Sequence, residues 1–341
     1  MNKTLYIFSS IVALMGKNVL ITGGAGYIGS HTAKGLVERG HRVIVYDNLL
    51  CGHLPSLQGV DYVTGDIGDY GLIKKTLIEK KIDVVVHLAA STSAEESVLD
   101  PRKYYQDNVT KGAMLLNAIV DSGVTKIVFS SSCTIYGVPS AIPINESEKQ
   151  FPINPYGWTK LIFEQMLKDY DLAYGLKSVC LRYFNAAGAD ETGNIGEYHD
   201  PETHVIPLLI QTAMGLRESF SIFGTDYDTP DGTCMRDYIH VTDLADADAK
   251  AIEYLFEKNK SEQFNLGTGS GVTVLELIDS VERIAGTRLN IKIEGRRAGD
   301  PDKLVADSTK ARTVLGWIPT HSSINNIVKT AWIWHNGVGR Q

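Results

Sequence analysis

The stretch Lys17-Asn18-Val19-Leu20-Ile21-Thr22-Gly23-Gly24-Ala25-Gly26-Tyr27-Ile28-Gly29 decides the fold. A short apolar run, Val19–Thr22, stops at glycines spaced G-x-x-G-x-x-G, and an amphipathic run follows. The first reads as a buried strand, the second as a helix over Ile28–Arg39 closed by Gly40. Gly23, Gly26 and Gly29 sit between them. Glycine permits the tight turn and lets the backbone approach a pyrophosphate. The helix N-terminus then presents N–H groups and the positive end of its dipole to that anion.

Outward from this loop the pattern repeats. Val43–Asp47, Tyr62–Gly65, Val84–Leu88, Ile127–Ser131 and Val179–Tyr183 are near-continuous apolar runs, as in parallel strands covered on both faces. Leu72–Lys80, Pro101–Ser122 and Tyr156–Tyr174 read as the intervening helices. The fold class is therefore α/β, a doubly wound parallel sheet. Asp47 ends the second strand, where a carboxylate can hold the adenosine ribose hydroxyls and would repel the 2′-phosphate of NADP. The expected cofactor is NAD. Asp66 ends the third strand and has two open readings, an adenine contact or a helix cap. Residues 186–235 are loop-rich and end in the turn signal Thr229-Pro230-Asp231-Gly232, as in a lid or substrate-binding region.

Composition bounds the function. The 341 residues are 43% hydrophobic and 21% charged, enough for one large α/β domain or two smaller ones. The net charge of −7, with no basic stripe, argues against a nucleic-acid partner. Cys51, Cys133, Cys180 and Cys234 show neither close pairing nor metal-ligand spacing, which suits reduced thiols and a cytoplasmic location. Thr4–Leu14 is apolar but too short to span a bilayer as a helix, and no small-x-small cleavage site follows it. Residues 1–16 are expected to form an extension without stable structure, and no membrane partner is expected.

Tyr156 and Lys160 lie four apart in Tyr156-Gly157-Trp158-Thr159-Lys160, hence on one helix face. An ammonium beside a phenol favours the phenolate, so the pair predicts a tyrosine with a lowered pKa, able to serve as a base. Upstream, Ser130–Gly137 closes the fifth strand. Ligands of open α/β sheets bind outside the carboxyl ends of the strands. The hydroxyl of Ser132 there can bond a substrate oxygen whose charge changes.

These motifs, with His87–Ala90, Arg182–Asn185, Pro201–His204, Thr229–Thr233, Arg236–Val241 and 296–300, make the chain from Lys17 onward resemble the extended short-chain dehydrogenase/reductases. Within them it resembles the branch that inverts carbon 4 of UDP-hexoses. The resemblance implies a Rossmann-type NAD domain over 17–185. It implies a smaller C-terminal α/β domain over 186–341 for the UDP-sugar, with 236–250 returning to the first, and a homodimer through the helices at 101–122 and 156–174. It implies that Tyr156 takes the proton of the sugar 4-hydroxyl, that Ser132 bonds the same oxygen, and that Lys160 bonds the nicotinamide ribose. NAD would stay bound through a 4-keto intermediate.

By the same resemblance, Tyr27, Ile28, Asp47, Asn48, Leu49, Leu50, Cys51, Gly52, Asp66, Ile67, Leu88, Ala89, Ala90, Thr92, Asp107 and Phe184 fall at cofactor positions. Asn185, His204, Val205, Arg236, Arg297 and Asp300 fall at positions that hold UDP. Ser221-Ile222-Phe223 matches the uracil platform, or is an apolar core strand. Thr92 and Asp107 depart from the lysine and asparagine of some relatives, although Asn108 fits. Leu304 replaces a bulky tyrosine that restricts the sugar pocket, which leaves UDP-N-acetylhexosamines open as substrates. A 4,6-dehydratase would need an acidic pair where Cys133 and Thr134 stand. A uronate epimerase or decarboxylase, needing a further cation, stays open. A non-catalytic NAD-binding scaffold would have no reason to keep Ser132, Tyr156 and Lys160 together.

Overall fold

Why the first strand is buried on both sides is visible in its alternation. In the computed structural model Val19 and Ile21 point into one core and Leu20 into the other. The structure describes residues 16–53, 59–297 and 301–338. The expected extension, residue 16 apart, and Asp300 lie outside that set.

Seven parallel strands form the main sheet: β1 (Asn18–Thr22), β2 (Arg42–Asp47), β3 (Asp61–Thr64), β4 (Val84–His87), β5 (Lys126–Ser132), β6 (Lys177–Tyr183) and, far along the chain, β11 (Glu262–Leu266). Their spatial order is β3-β2-β1-β4-β5-β6-β11. The order reverses between β1 and β4, so a crevice opens there at the carboxyl ends of both strands. Thr22 aligns with His87 across that junction.

Helices cover both faces. One core packs β1, β2, β4, β5 and β6 against α1 (Tyr27–Glu38) and α8 (Val241–Lys258). The other packs the opposite face against α2 (Tyr70–Glu79), α5 (Lys111–Asp121) and α6 (Pro155–Tyr174). The run expected as one helix over 101–122 is broken into α4 (Pro101–Tyr104), a π-type turn over Tyr105–Thr110, and α5. Nothing in the local sequence signals that turn. It rotates Asp107 and Asn108 relative to a regular helix, and such turns concentrate at functional sites.

A third core holds the C-terminal region, with β8 (Phe220–Phe223) paired to β13 (Ile291–Glu294) and α7 (Val205–Ala213), α9 (Val274–Ala285) and α10 (Ile324–Val338) around it. Between it and the main sheet run β7 (Asn185–Ala187), β9 (Met235–Arg236), β10 (Tyr238–His240), β12 (Val272–Thr273) and β14 (Lys303–Leu304). The return to the large sheet reaches beyond 236–250, through α8 to β11 at its edge.

Candidate active site

The glycine loop is a cradle because two of its glycines are packed against backbone. Gly23 has φ +70°, and a Cβ there would lie 2.6 Å from Ala89 N. A Cβ on Gly29 would lie 2.2 Å from Gly23 O. Gly26 is the N-cap of α1 and has no side chain to cap the first-turn N–H groups. An anion fits those donors and the helix dipole. Ile28 packs its side chain into the sheet core, while Tyr27 donates to Gly188 O at 2.6 Å. Both can reach such an anion through the backbone.

Asp47 accepts from Ala25 N at 3.0 Å and from Leu49 N at 2.8 Å. Its carboxylate thereby fixes the loop through Asn48, Leu49, Leu50, Cys51 and Gly52, of which Leu50 and Cys51 are exposed. Asp66 does two things. It caps its own turn through Gly68 N (2.8 Å), and it accepts from Asn48 (3.3 Å) and Lys111 (2.9 Å). The same Lys111 ammonium pairs with Asp107 at 2.9 Å. Asp107 also accepts from Ser91 Oγ at 3.0 Å. Ile67 turns its side chain into a core, and Thr92 is exposed. Leu88, Ala89 and Ala90 run along the end of β4, where Leu88 N donates to Thr22 O at 3.0 Å. Asn108 exchanges bonds with the Ser91 backbone and donates to Thr159 Oγ1 at 3.0 Å, so the π-type turn ties β4 to α6.

Helix α6 begins at Asn154, whose side chain accepts from Gly157 N at 2.8 Å, with Pro155 in the first turn. That cap sets where Tyr156 and Lys160 project. Ser132 ends β5, and its Oγ accepts from Thr134 Oγ1 at 2.9 Å and Thr134 N at 3.2 Å. Burial pushes the Tyr156 phenol up to about 12, and a hydrogen bond with Ser132 opposes the rise. Burial pushes Lys160 down to about 7. The sequence expectation that Lys160 lowers the tyrosine pKa is therefore reversed in this state. The first cause is burial, and the Lys160 charge is not placed to oppose it. Lys160 Nζ donates to Ser130 O at 2.7 Å and sits 4.9 Å from the Phe129 ring centroid, but 5.8 Å from that of Tyr156. Nearby His87 is held neutral, down at about 3, by burial and then by the Lys160 charge. It bonds Thr22 Oγ1 at 2.7 Å.

Beneath these groups lies a buried ion pair. Arg182 on β6 is 1% exposed and Glu164 on α6 is 0% exposed. The guanidinium donates twice, Nε to Oε1 at 3.0 Å and Nη2 to Oε2 at 2.7 Å. Ser131 donates to Glu164 at 2.6 Å, and Arg182 donates to Tyr136 OH at 2.8 Å. Tyr136 in turn donates to Asn265 on β11 at 2.7 Å. The network fixes β5, α6, β6 and β11 together, directly under Ser132.

The C-terminal region meets this site through a small cluster. Cys133, Phe184 and Ala306 are buried together, with Leu304 packed against them. Leu304 is in register with Arg236, whose Nη1 donates to Met235 O and Pro301 O, both at 2.9 Å. Asn185 N donates to Asp237 O at 2.9 Å. Asp237, to which the sequence assigns no separate role, accepts from Thr268 N, Thr268 Oγ1, Gly269 N and Ala306 N and so joins the β9–β10 junction to the turn after β11 and to the segment after β14. Arg297 lies over Phe223, 5.0 Å from the ring centroid. Along β8, Ile222 is buried in the third core while Ser221 and Phe223 are not. The core-strand reading thus holds for the Ile222 side chain, leaving its two neighbours for a ligand. Val205 also packs on that core. The His204 side chain pairs with Glu197 at 2.9 Å and Glu202 at 3.0 Å.

A family model described as the NAD dependent epimerase/dehydratase family matches residues 19–267. A UDP-glucose 4-epimerase of Rhizobium meliloti (strain 1021) is 51% identical over 323 residues, 95% of this chain and 98% of the relative. The crystal structure of UDP-glucose 4-epimerase from Brucella ovis in complex with NAD superposes with a TM-score of 0.91 at 49% identity, covering 93% of this chain and 98% of that one. A UDP-glucose-4-epimerase from Stenotrophomonas maltophila, with bound NAD and formylated UDP-arabinopyranose, has a TM-score of 0.93 at 38% identity, covering 95% and 99%.

Replacing Glu164 by Gln should cost about 3–5 kcal/mol, because Arg182 is left buried without its counter-charge. Urea denaturation measures this. The double change Glu164→Leu with Arg182→Met should recover most of the loss, and a double variant as unstable as the single one would contradict the assignment.

Proposed function

The chain belongs to the NAD dependent epimerase/dehydratase family, and we propose that it inverts carbon 4 of a UDP-hexose, interconverting UDP-galactose and UDP-glucose. The observation that carries this reading is the hydrogen bond between Ser132 and Tyr156 at the carboxyl edge of the sheet, next in sequence to Cys133, which packs with Phe184 and Leu304. The proposed proton-handling groups thus adjoin the C-terminal region through Cys133.

NAD, held by the glycine loop and Asp47, would supply the hydride acceptor for carbon 4 and the hydride donor that restores it. The chain's own residues do the rest. Gly23, Gly26 and Gly29, with the backbone of Tyr27 and Ile28, hold the pyrophosphate; Asp47 holds the adenosine ribose; Asp66 and the Lys111 bridge close the adenine end. Tyr156 takes the proton of the 4-hydroxyl and gives it back after the keto sugar has turned, while Ser132 bonds the same oxygen. At neutral pH, ionising a phenol held near 12 costs on the order of 7 kcal/mol, so the site needs a positive charge beside it. Lys160 supplies that charge when protonated, and bonds the nicotinamide ribose. Asn185, Arg236 and Arg297 serve the diphosphate, for which the guanidinium offers a bidentate fork. Ser221 and Phe223 flank the uracil.

A dehydratase reading gains no support. Cys133 is buried and pushed up to about 12, and Thr134 is committed to Ser132, so neither replaces the acidic pair that elimination needs. The exposed apolar side chains Val98, Leu99, Met114, Leu172 and Tyr174, on the helices between 94 and 174, support a homodimer. A sedimentation mass of one chain would overturn that. Among the described residues no helix is long and apolar enough to cross a membrane, and none of the four cysteines forms a disulfide. Reduced thiols support a cytoplasmic location.

Purified enzyme given UDP-galactose and no added NAD should form UDP-glucose. Tyr156→Phe should lower kcat by about 10²–10⁴, and near-normal turnover of that variant would contradict its role as base. Leu304 leaves more room than tyrosine, so UDP-N-acetylgalactosamine should turn over as well. A rate below a hundredth of that for UDP-galactose would exclude the wider pocket.

A further inference from the structure

The segment Glu197-Tyr198-His199-Asp200-Pro201-Glu202-Thr203-His204 leads into α7. It places four candidate ligands within eight residues, and the fold gathers them. One atom of each of Glu197, His199, Glu202 and His204 lies within 4.8 Å of all the others. The closer pairs are His204 Nδ1 to Glu197 Oε1 at 2.9 Å and to Glu202 Oε1 at 3.0 Å, and His199 Nδ1 to Glu197 Oε1 at 3.3 Å and to Glu202 Oε2 at 3.8 Å. A tetrahedral site with ligands at ~2.0–2.1 Å sets neighbouring donor atoms ~3.3 Å apart, which these distances bracket.

Two further facts distinguish the cluster from a solvated ion pair. The Glu197 and Glu202 side chains are only 7% and 4% exposed, so two carboxylates are withdrawn from water side by side. The buried Nδ1 of His199 faces both without a well-aligned hydrogen bond to either. Their frame is also rigid. Trp334 on α10 donates to Glu197 O at 2.7 Å, and a Cβ on Gly196 would strike the Trp334 ring at 2.4 Å.

We infer that Glu197, His199, Glu202 and His204 bind one divalent transition-metal ion of the zinc class in a closed, structural site. Two imidazoles and two carboxylates satisfy the coordination number of zinc and cancel its charge. Calcium and magnesium prefer oxygen ligands alone. The ion would pin the loop that enters α7 to the segment held by α10. It takes no part in the proton transfers assigned to Tyr156, and the inference stands whether or not the epimerase reading does.

The test uses the full-length enzyme with its retained cofactor. Protein stripped with a chelator and checked by elemental analysis is titrated with Co²⁺, then with Zn²⁺. One equivalent of Co²⁺ should give the intense visible bands of a four-coordinate ion, and one equivalent of Zn²⁺ should abolish them. His199→Ala and Glu197→Gln should each weaken Zn²⁺ binding at least a hundredfold in calorimetry. A six-coordinate Co²⁺ spectrum, or no saturable Zn²⁺ binding by the unaltered chain, would overturn the inference. So would unchanged affinity in folded variants. Those outcomes would make the cluster a histidine–carboxylate ion-pair network.

Discussion

The pairing of Arg182 with Glu164 is the constraint on which the rest of the site depends. Neither charge has water to fall back on, so each is tolerated only because the other is there in a bidentate geometry. Through Ser131, Tyr136 and Asn265 the pair reaches three strands and a helix. Ser132 and Tyr156 each lie on an element that this network fixes. A buried ion pair is weak evidence for net stability. Its value here is positional: it leaves one way for α6 to lie on β5 and β6.

On that frame, topology chooses the place of the chemistry. The strand order reverses between β1 and β4, and the glycine loop, His87 and the π-type turn all converge on that reversal. The electrostatics follow from burial more than from proximity. Lys160 lies one helical turn from Tyr156, but its ammonium is turned to a backbone carbonyl and an aromatic face. Burial thus holds the phenol protonated, and the Lys160 charge one turn away is what its ionised form would draw on. That suits the part proposed for Tyr156, acid in one half of a reversible cycle and base in the other.

Most of the main sheet was legible in the sequence, because parallel strands buried on both faces are unbroken apolar runs and glycines mark where they turn. The strand runs starting at Val19, Val43, Val84, Ile127 and Val179 each appear within a residue or two of the expected place. The edge strand β11 was missed, since Glu262 and Gln263 interrupt its apolar run. The π-type turn was missed because no glycine or proline marks Tyr105–Thr110. Within the site, Ser132, Tyr156, Lys160 and Asp47 stood out by motif. Glu164, Lys111 and Asp237 did not, because their partners are set by the fold: Arg182 is 18 residues from Glu164, and Asp66 is 45 from Lys111. That burial raises the Tyr156 pKa was not legible, because a pattern of spacing carries charge but not burial. The Glu-x-His-x-x-Glu-x-His spacing at 197–204 was a readable signal, and only its convergence in space gave it weight.

The central claim is that one hydrogen leaves carbon 4, waits on a retained cofactor, and returns to the same carbon. UDP-galactose carrying deuterium at carbon 4 tests this most directly. The account predicts UDP-glucose that keeps its deuterium at carbon 4, with none released to water. Loss of the label to solvent would contradict it.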